Sequence, residues 1–185
     1  MRLRAGLPEG VLLIIDEAYG EFANHPNAPV FDIVDTGNVA VLRAFSKADG
    51  MARFRVGCGA FPMAVAVELR KALNPNKVSV VSQMAAVADQ AYMRETCAIT
   101  AKLRDTATAR LQAAGIKVVS SLANFILLDL GRAGAAQAAD ATLRSEGVFL
   151  RPQGGAGLPH CLRMTIGPAA NVDRATEILE SWSQP

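Results

Sequence analysis

Five consecutive apolar residues, VLLII at positions 11–15, run straight into Asp16, Glu17 and Tyr19. A run without a polar face predicts a strand covered on both sides, a condition met inside a parallel sheet. Parallel neighbours must be joined by long crossovers, usually helices, so this one stretch restricts the chain to an α/β architecture. Two further apolar runs, 39–42 and 56–61, bracket a polar loop that carries Ser46, Lys47, Arg53 and Arg55. The run at 11–15 stands so near the first residue that the residues before it supply no sheet neighbour. An unpaired apolar edge, with its hazard of association, is therefore expected there.

A loop rich in Asn and Pro, containing His25, follows Tyr19, and a short helical stretch is predicted near 30–34. Pro62 stops the strand at 56–61 and suits the first turn of a helix, predicted over 65–73 and ending before Asn74, Pro75 and Asn76. Helix is predicted again from Ser79, with Ser79 or Ser82 as its N-cap. It continues from 93 to 114, where Ile99, Leu103, Ala107 and Leu111 recur every fourth residue and Gly115 is suited to end it. Strands are predicted at 116–119 and 125–130, a helix at 134–146 closed by Gly147, and strands at 148–150 and 161–166. Asn171 reads as the cap of a last helix through Trp182. The order β, β, α, β, β, α predicts a small α+β domain, residues 106–185, following part of a larger α/β domain, residues 1–105. A hinge is expected inside the long helix, around 96–111. Sparse aromatics, 5% of the chain, favour helices packed closely on a sheet over an all-β sandwich.

The 19 basic and 17 acidic residues are scattered, which argues against a nucleic-acid footprint or a membrane-surface patch. No apolar run approaches the ~18 residues needed to span a bilayer, and no signal segment opens the chain, so a cytoplasmic protein is expected. Cys58, Cys97 and Cys161 are odd in number and lack metal-ligand spacing. They read as small apolar residues in a reducing compartment, with no metal site. His160 and Cys161 are neighbours on a predicted strand, so their side chains should point to opposite faces and not meet. The glycines Gly154, Gly155 and Gly157 signal a nucleotide loop only weakly, without the strand and helix that should flank it.

A lysine between two strands is costly to bury in its charged form. Held so, Lys47 can lose its proton and act as an amine nucleophile toward a carbonyl, forming a Schiff base. Ser46 and Arg55 add a hydroxyl and a cation suited to a phosphate. With Asp16 and Tyr19 these residues make sense together as a site for pyridoxal phosphate, the carboxylate keeping the pyridine nitrogen protonated and the tyrosine reaching the phenolic oxygen. Both segments fall at the carboxyl ends of predicted strands, where ligands bind in open α/β sheets.

VLLIIDEAYGEF and VLRAFSKADGMARFRVGCG resemble the cofactor segments of the fold-type I, class I and II aminotransferases, above all the histidinol-phosphate aminotransferase family. SLANFILL and FLRPQGGAGLPHCLRMTIG resemble two later segments of that family, in the same order. The resemblance covers nearly the whole chain. It implies an aminotransferase of histidine biosynthesis that moves an amino group from histidinol phosphate, or an aromatic amino acid, to 2-oxoglutarate. It implies the fold-type I large domain, in part, with a small C-terminal α+β domain, and a homodimer. It implies Lys47 as the Schiff-base lysine, Asp16, Tyr19, Ser46 and Arg55 as cofactor ligands, and Arg163 on the substrate carboxylate beside Asn124. Arg151 would meet the distal group, for which a phosphate is suited. Taken alone, Arg151 and Arg163 also read as strand-end surface charges and Asn124 as a turn residue.

Members of this family are about twice as long, so the resemblance identifies the chain with the C-terminal half. The first half would supply the N-terminal arm, a phosphate-binding glycine turn, a cofactor-contacting asparagine and the partner chain's tyrosine. A catalytically silent or partner-dependent fragment is the alternative implied. The chain departs from the family pattern at Ala44, Asp49, Met51 to Phe54 and Cys58. Arg53 is expected to face solvent and pair with Asp49.

Overall fold

The computed structural model describes residues 2–23, 30–73 and 80–183, and the chain divides into two compact units, Met1–Cys97 and Ala98–Pro185. His25, Asn74, Pro75, Asn76 and Ser79 lie outside the described residues.

After a single turn, α1 (Arg2–Ala5), the first unit builds a three-stranded sheet in the order β1-β2-β3. β1 (Leu13–Asp16) runs parallel to β2 (Val39–Ala44), and β3 (Gly57–Ala60) pairs antiparallel to β2. Val39, Ala40 and Val41 are fully enclosed, as a central strand requires, and the 3-10 segment Val30–Thr36 packs on β2. β1 departs from the doubly covered strand expected at 11–15. Val11 and Leu12 precede it and are exposed, and along the strand half-buried and exposed residues alternate, with Ile14 at 56% exposure. Among the described residues it has a partner only on the β2 side, which leaves its other edge open.

The antiparallel β3 has a positional consequence: its first residue lies opposite the last residue of β2, Ala44 against Gly57, while Asp16 lies opposite Leu42. The end of β1, the loop after β2 and the approach to β3 therefore share one end of the sheet. α2 (Met63–Ala72) starts directly after Pro62, its N-cap, and so begins earlier than the predicted 65. The predicted continuous helix is broken at Asp89 into α3 (Val80–Ala88) and α4 (Gln90–Ala113). The Asp89 carboxylate accepts the N–H of Tyr92 at 3.1 Å, competing with helix continuation as a capping carboxylate does. Ser82 falls inside α3 rather than at its start.

The second unit is a four-stranded antiparallel sheet, β4 (Lys117–Val119), β5 (Phe125–Asp129), β6 (Arg151–Gln153) and β7 (Leu158–Thr165), in the order β4-β5-β7-β6. α5 (Ala133–Ser145) and α6 (Ala169–Ser183) pack with the end of α4 on one face. Leu111, Ile126, Leu128, Leu143, Leu162 and Leu179 form its buried centre. Gly115 and Gly147, both at positive φ, end α4 and α5 as their sequence positions predict. The strand predicted at 148–150 begins three residues later. Leu150 is buried and Phe149 exposed, but ladder pairing starts only at Arg151 opposite Arg163. Apolar alternation marked which side chains face inward, not which backbone groups find partners. α6 likewise starts ahead of Asn171, whose N–H bonds to the Pro168 carbonyl inside the first turn. The glycines at 154–157 turn the β6–β7 hairpin.

Candidate active site

In the first unit, Asp16 is the last residue of β1, and its Oδ1 accepts the Ala18 N–H at 2.9 Å. That short turn swings the chain back so that Tyr19, three residues on, lies beside the loop after β2. The Lys47 ammonium stands 5.1 Å from the centre of the Tyr19 ring, a cation–π approach. Ser46 and Lys47 are half-buried, and the flanking Ala48 is enclosed. Arg55 takes left-handed backbone, φ 56°, and its guanidinium donates to the Ala52 carbonyl at 3.1 Å. The structure thus brings Lys47 and Tyr19 into contact and sets Asp16, Ser46 and Arg55 at the same sheet end.

Several groups around this loop escaped the sequence reading. Arg43, on β2, pairs with Glu17 at 2.9 Å, and both are mostly buried. A cation inside the run VAVLRA, with an acidic residue after the neighbouring parallel strand, was the signal. Glu21 has a shielded Oε2 without a hydrogen-bond partner among the described residues. Burial pushes its carboxyl above the ordinary range, against the opposing pull of its backbone hydrogen bond and of Arg43. Asp49 is not the partner expected for Arg53. Among the described residues no ion pair joins them, and burial raises the Asp49 carboxyl where a close guanidinium would lower it. Arg53 is exposed. Cys58 is exposed and not a core residue, while Cys97 is half-buried; burial is the largest cause that raises both thiols.

In the second unit, Arg151 and Arg163 stand directly opposite each other on β6 and β7. The Arg163 guanidinium carbon lies 5.1 Å above the centre of the Phe125 ring, and its Nε is buried with no hydrogen-bond partner among the described residues. Arg151 is exposed. Both arginines line a cavity of about 500 Å³ that also touches Phe149, Asn171 and Arg174. Arg174 is tied to Glu146 at 3.1 Å, whereas among the described residues no carboxylate forms an ion pair with Arg151 or Arg163. Asn124 precedes β5 and its carbonyl accepts the Ile166 N–H at 2.8 Å. Its turn is held by the Ser121 hydroxyl donating to the Phe125 carbonyl at 2.6 Å and by buried Arg104 donating to the Ala123 carbonyl at 3.4 Å.

His160 and Cys161 meet after all. Their donor atoms and a carboxylate oxygen of Asp129 all lie within 4.8 Å of one another. The register between β6 and β7 slips at Pro152/Gln153, from Leu162 to Leu158. Such a bulge bends a strand and re-aims its side chains, so strict alternation fails over 159–161.

Residues 5–179 match the family described as aminotransferase class I and II. The chain is 37% identical to a histidinol-phosphate aminotransferase of Rhodospirillum centenum over 98% of its own length and 52% of that protein's. It is 39% identical to one of Symbiobacterium thermophilum, covering 97% of this chain and 51% of that one. It superposes on the crystal structure of histidinol-phosphate aminotransferase from Sinorhizobium meliloti in complex with pyridoxal-5'-phosphate. The TM-score is 0.87 at 32% identity, over 98% of this chain and 51% of that chain. The chain spans about half the length of the curated relatives it matches.

Proposed function

This chain belongs to the class I and II aminotransferase family, and on that premise we propose that it provides the lysine-bearing C-terminal half of a pyridoxal-phosphate-dependent aminotransferase. The observation that carries the reading is Lys47, half-buried after β2 with its ammonium against Tyr19, at the sheet end where Asp16 closes β1. Pyridoxal phosphate, when bound, supplies an aldehyde for a primary amine and a ring that accepts the electrons of a broken Cα–H bond. The donor set fits that group: an amine, a carboxylate, a phenol, a hydroxyl and a guanidinium, with one nitrogen of the Arg55 guanidinium engaged in its own loop.

Lys47 offers the amine for covalent attachment and, once free, carries a proton to and from the substrate α-carbon. Asp16 holds a proton on the pyridine nitrogen, and Tyr19 donates to the phenolic oxygen. Ser46 and Arg55 hold the phosphate, the guanidinium fork matching its oxygens. Arg163 with Asn124 receives the substrate end nearest the reacting carbon, and Arg151 receives a distal anion. Histidinol phosphate is the proposed donor, supported by the relatives' name and by the two opposed guanidiniums, and 2-oxoglutarate is the proposed acceptor. The reading includes a homodimer, a cytoplasmic location, and domains at residues 1–105 and 106–185.

The test is an absorbance titration of the purified chain with pyridoxal phosphate beside Lys47→Ala, followed by amino transfer from histidinol phosphate. A visible band that needs Lys47 supports the reading. A band identical in both proteins, or none, overturns it for this chain alone. That second outcome favours a silent or partner-dependent fragment, a reading supported by the open edge of β1.

A further inference from the structure

We propose that Asp129, His160 and Cys161 form a binding site for a divalent cation of the zinc class, at the end of the β5–β7 pair in the second unit. Asp129 lies directly opposite Cys161 in the register, so their side chains share a face, and the bulged backbone brings His160 to the same point. The three donor atoms lie within 4.8 Å of one another, with the imidazole Nε2 3.9 Å from Asp129 Oδ1. A tetrahedral ion with bonds of roughly 2.0–2.3 Å keeps its ligands about 3.3–3.8 Å apart, so rotations of the side chains close the remaining gap.

The chemistry of the set selects the ion. A thiol and an imidazole are poor ligands for magnesium or calcium, which take oxygen, and good ones for zinc. On coordination the thiol proton leaves to solvent, and thiolate plus carboxylate then balance the two positive charges of the ion, with His160 neutral. Cys161 is only 3% exposed, which shields the sulfur, while His160 remains partly open. A cavity of about 580 Å³, lined in part by Asp129, Lys117 and Trp182, opens on the carboxylate, and the partly open His160 lets water reach the set as fourth ligand. Asp129 is already oriented: Oδ1 accepts the Gly131 N–H at 3.0 Å and Oδ2 the Lys117 ammonium at 2.7 Å. Lys117 is the opposing element, since its charge repels a cation. Arg163 stands two residues along β7 from Cys161, so an ion here braces the strand that presents it. None of this depends on the catalytic reading.

Cobalt(II), a spectroscopic stand-in for zinc, added to the purified reduced chain is the test. The expected result is one equivalent bound, with a near-ultraviolet thiolate-to-metal band, visible bands of tetrahedral cobalt and quenching of Trp182. Zinc should displace the cobalt and magnesium should not. Cys161→Ser removes the near-ultraviolet band. His160→Ala, at a partly exposed side chain that the fold does not need, weakens binding by about 10-fold or more, the scale of losing a metal-site partner. Lys117→Met tightens it several-fold. Absence of saturable binding overturns the proposal. So does a thiolate band that survives Cys161→Ser and vanishes in a Cys58→Ser, Cys97→Ser chain, or an affinity indifferent to both His160 and Lys117.

Discussion

Glu21 offers a way to test the electrostatics beside the lysine loop without touching a proposed ligand. It sits in the 3-10 segment Gly20–Ala23, with one carboxyl oxygen shielded and without a hydrogen-bond partner among the described residues. Burial is the largest cause raising its pKa above the unfolded value of 4.5. The native chain therefore holds this proton to higher pH than the unfolded chain does. Between the two pKa values the folded state binds more protons, so stability falls as pH rises through that window. Below it Glu21 is protonated in both states and costs nothing by charge; above it the full penalty is present. Glu21→Gln keeps the shape and removes the charge. Gln leaves a neutral polar group at the shielded position, so the expected gain above the window is the desolvation of the charge less the attraction of Arg43 that Gln forfeits, up to about 1 kcal/mol. At about pH 4 the gain should vanish, because wild type then carries the same neutral group. Both tyrosines, Tyr19 and Tyr92, lie in the first unit, so tyrosine emission during urea unfolding reads that unit, while the single Trp182 reads the second. An equal difference between the two proteins at both pH values, or a loss at high pH, would refute the reasoning.

Leu179→Ala, at a fully enclosed residue, removes three carbons worth about 0.8 kcal/mol each and leaves a cavity, so a loss of about 3–4 kcal/mol is expected in urea unfolding followed by Trp182; a loss under about 1 kcal/mol would mean that the core collapses around the gap. Gly57→Ala sets a Cβ 2.9 Å from the Arg43 carbonyl oxygen, forcing β2 and β3 apart, and should cost about 1–3 kcal/mol. Gly134→Ala, in α5 with no atom within 4 Å of the new Cβ, should instead gain up to about 1 kcal/mol, and the opposite order would contradict this account of both sites. Inorganic phosphate binding measured by calorimetry should weaken about 10-fold or more on Arg163→Met and less on exposed Arg151→Met, and unchanged affinity in both would remove the anion site.

Much of the second unit was legible because its apolar periodicity is closed within the same stretch of chain. Leu103, Ala107 and Leu111 do face the core that Ile126, Leu128 and Leu143 complete, though Ile99, the first of that series, is exposed, and the ending glycines stand where positive φ was needed. What failed there depended on pairing. Residues 148–150 carry strand-like alternation, yet the ladder begins at Arg151, because hydrogen bonding to β7 is fixed by a hairpin whose register slips at Pro152/Gln153. The same slip defeated the alternation argument for His160 and Cys161. In the first unit the run at 11–15 announced a strand but not its surroundings. Its burial depends on neighbours, and among the described residues β2 is its only one. The proposed cofactor residues stood out as types, Lys, Asp, Tyr, Ser and Arg after apolar runs. The Lys47–Tyr19 contact and the Glu17–Arg43 pair needed three dimensions, since each joins residues more than twenty positions apart.

The opposed arginines carry the strongest physical argument about what the second unit receives. Like charges directly opposite on neighbouring strands destabilise the pairing. At Arg151 and Arg163 that cost is only partly offset: one guanidinium spreads over Phe125 and the other stays in water. Arg163 also keeps a buried Nε with its proton unmatched among the described residues, a deficit that water in bulk would have filled and that an incoming oxygen removes. On the proposed assignment, an anion at either guanidinium gains twice, from new charge-assisted hydrogen bonds and from weakened repulsion by the other. Because the repulsion is between two full charges, a dianion relieves more of it than a monoanion. A phosphoryl group is consequently preferred to a carboxylate for the distal anion proposed at Arg151, before any shape of the substrate enters.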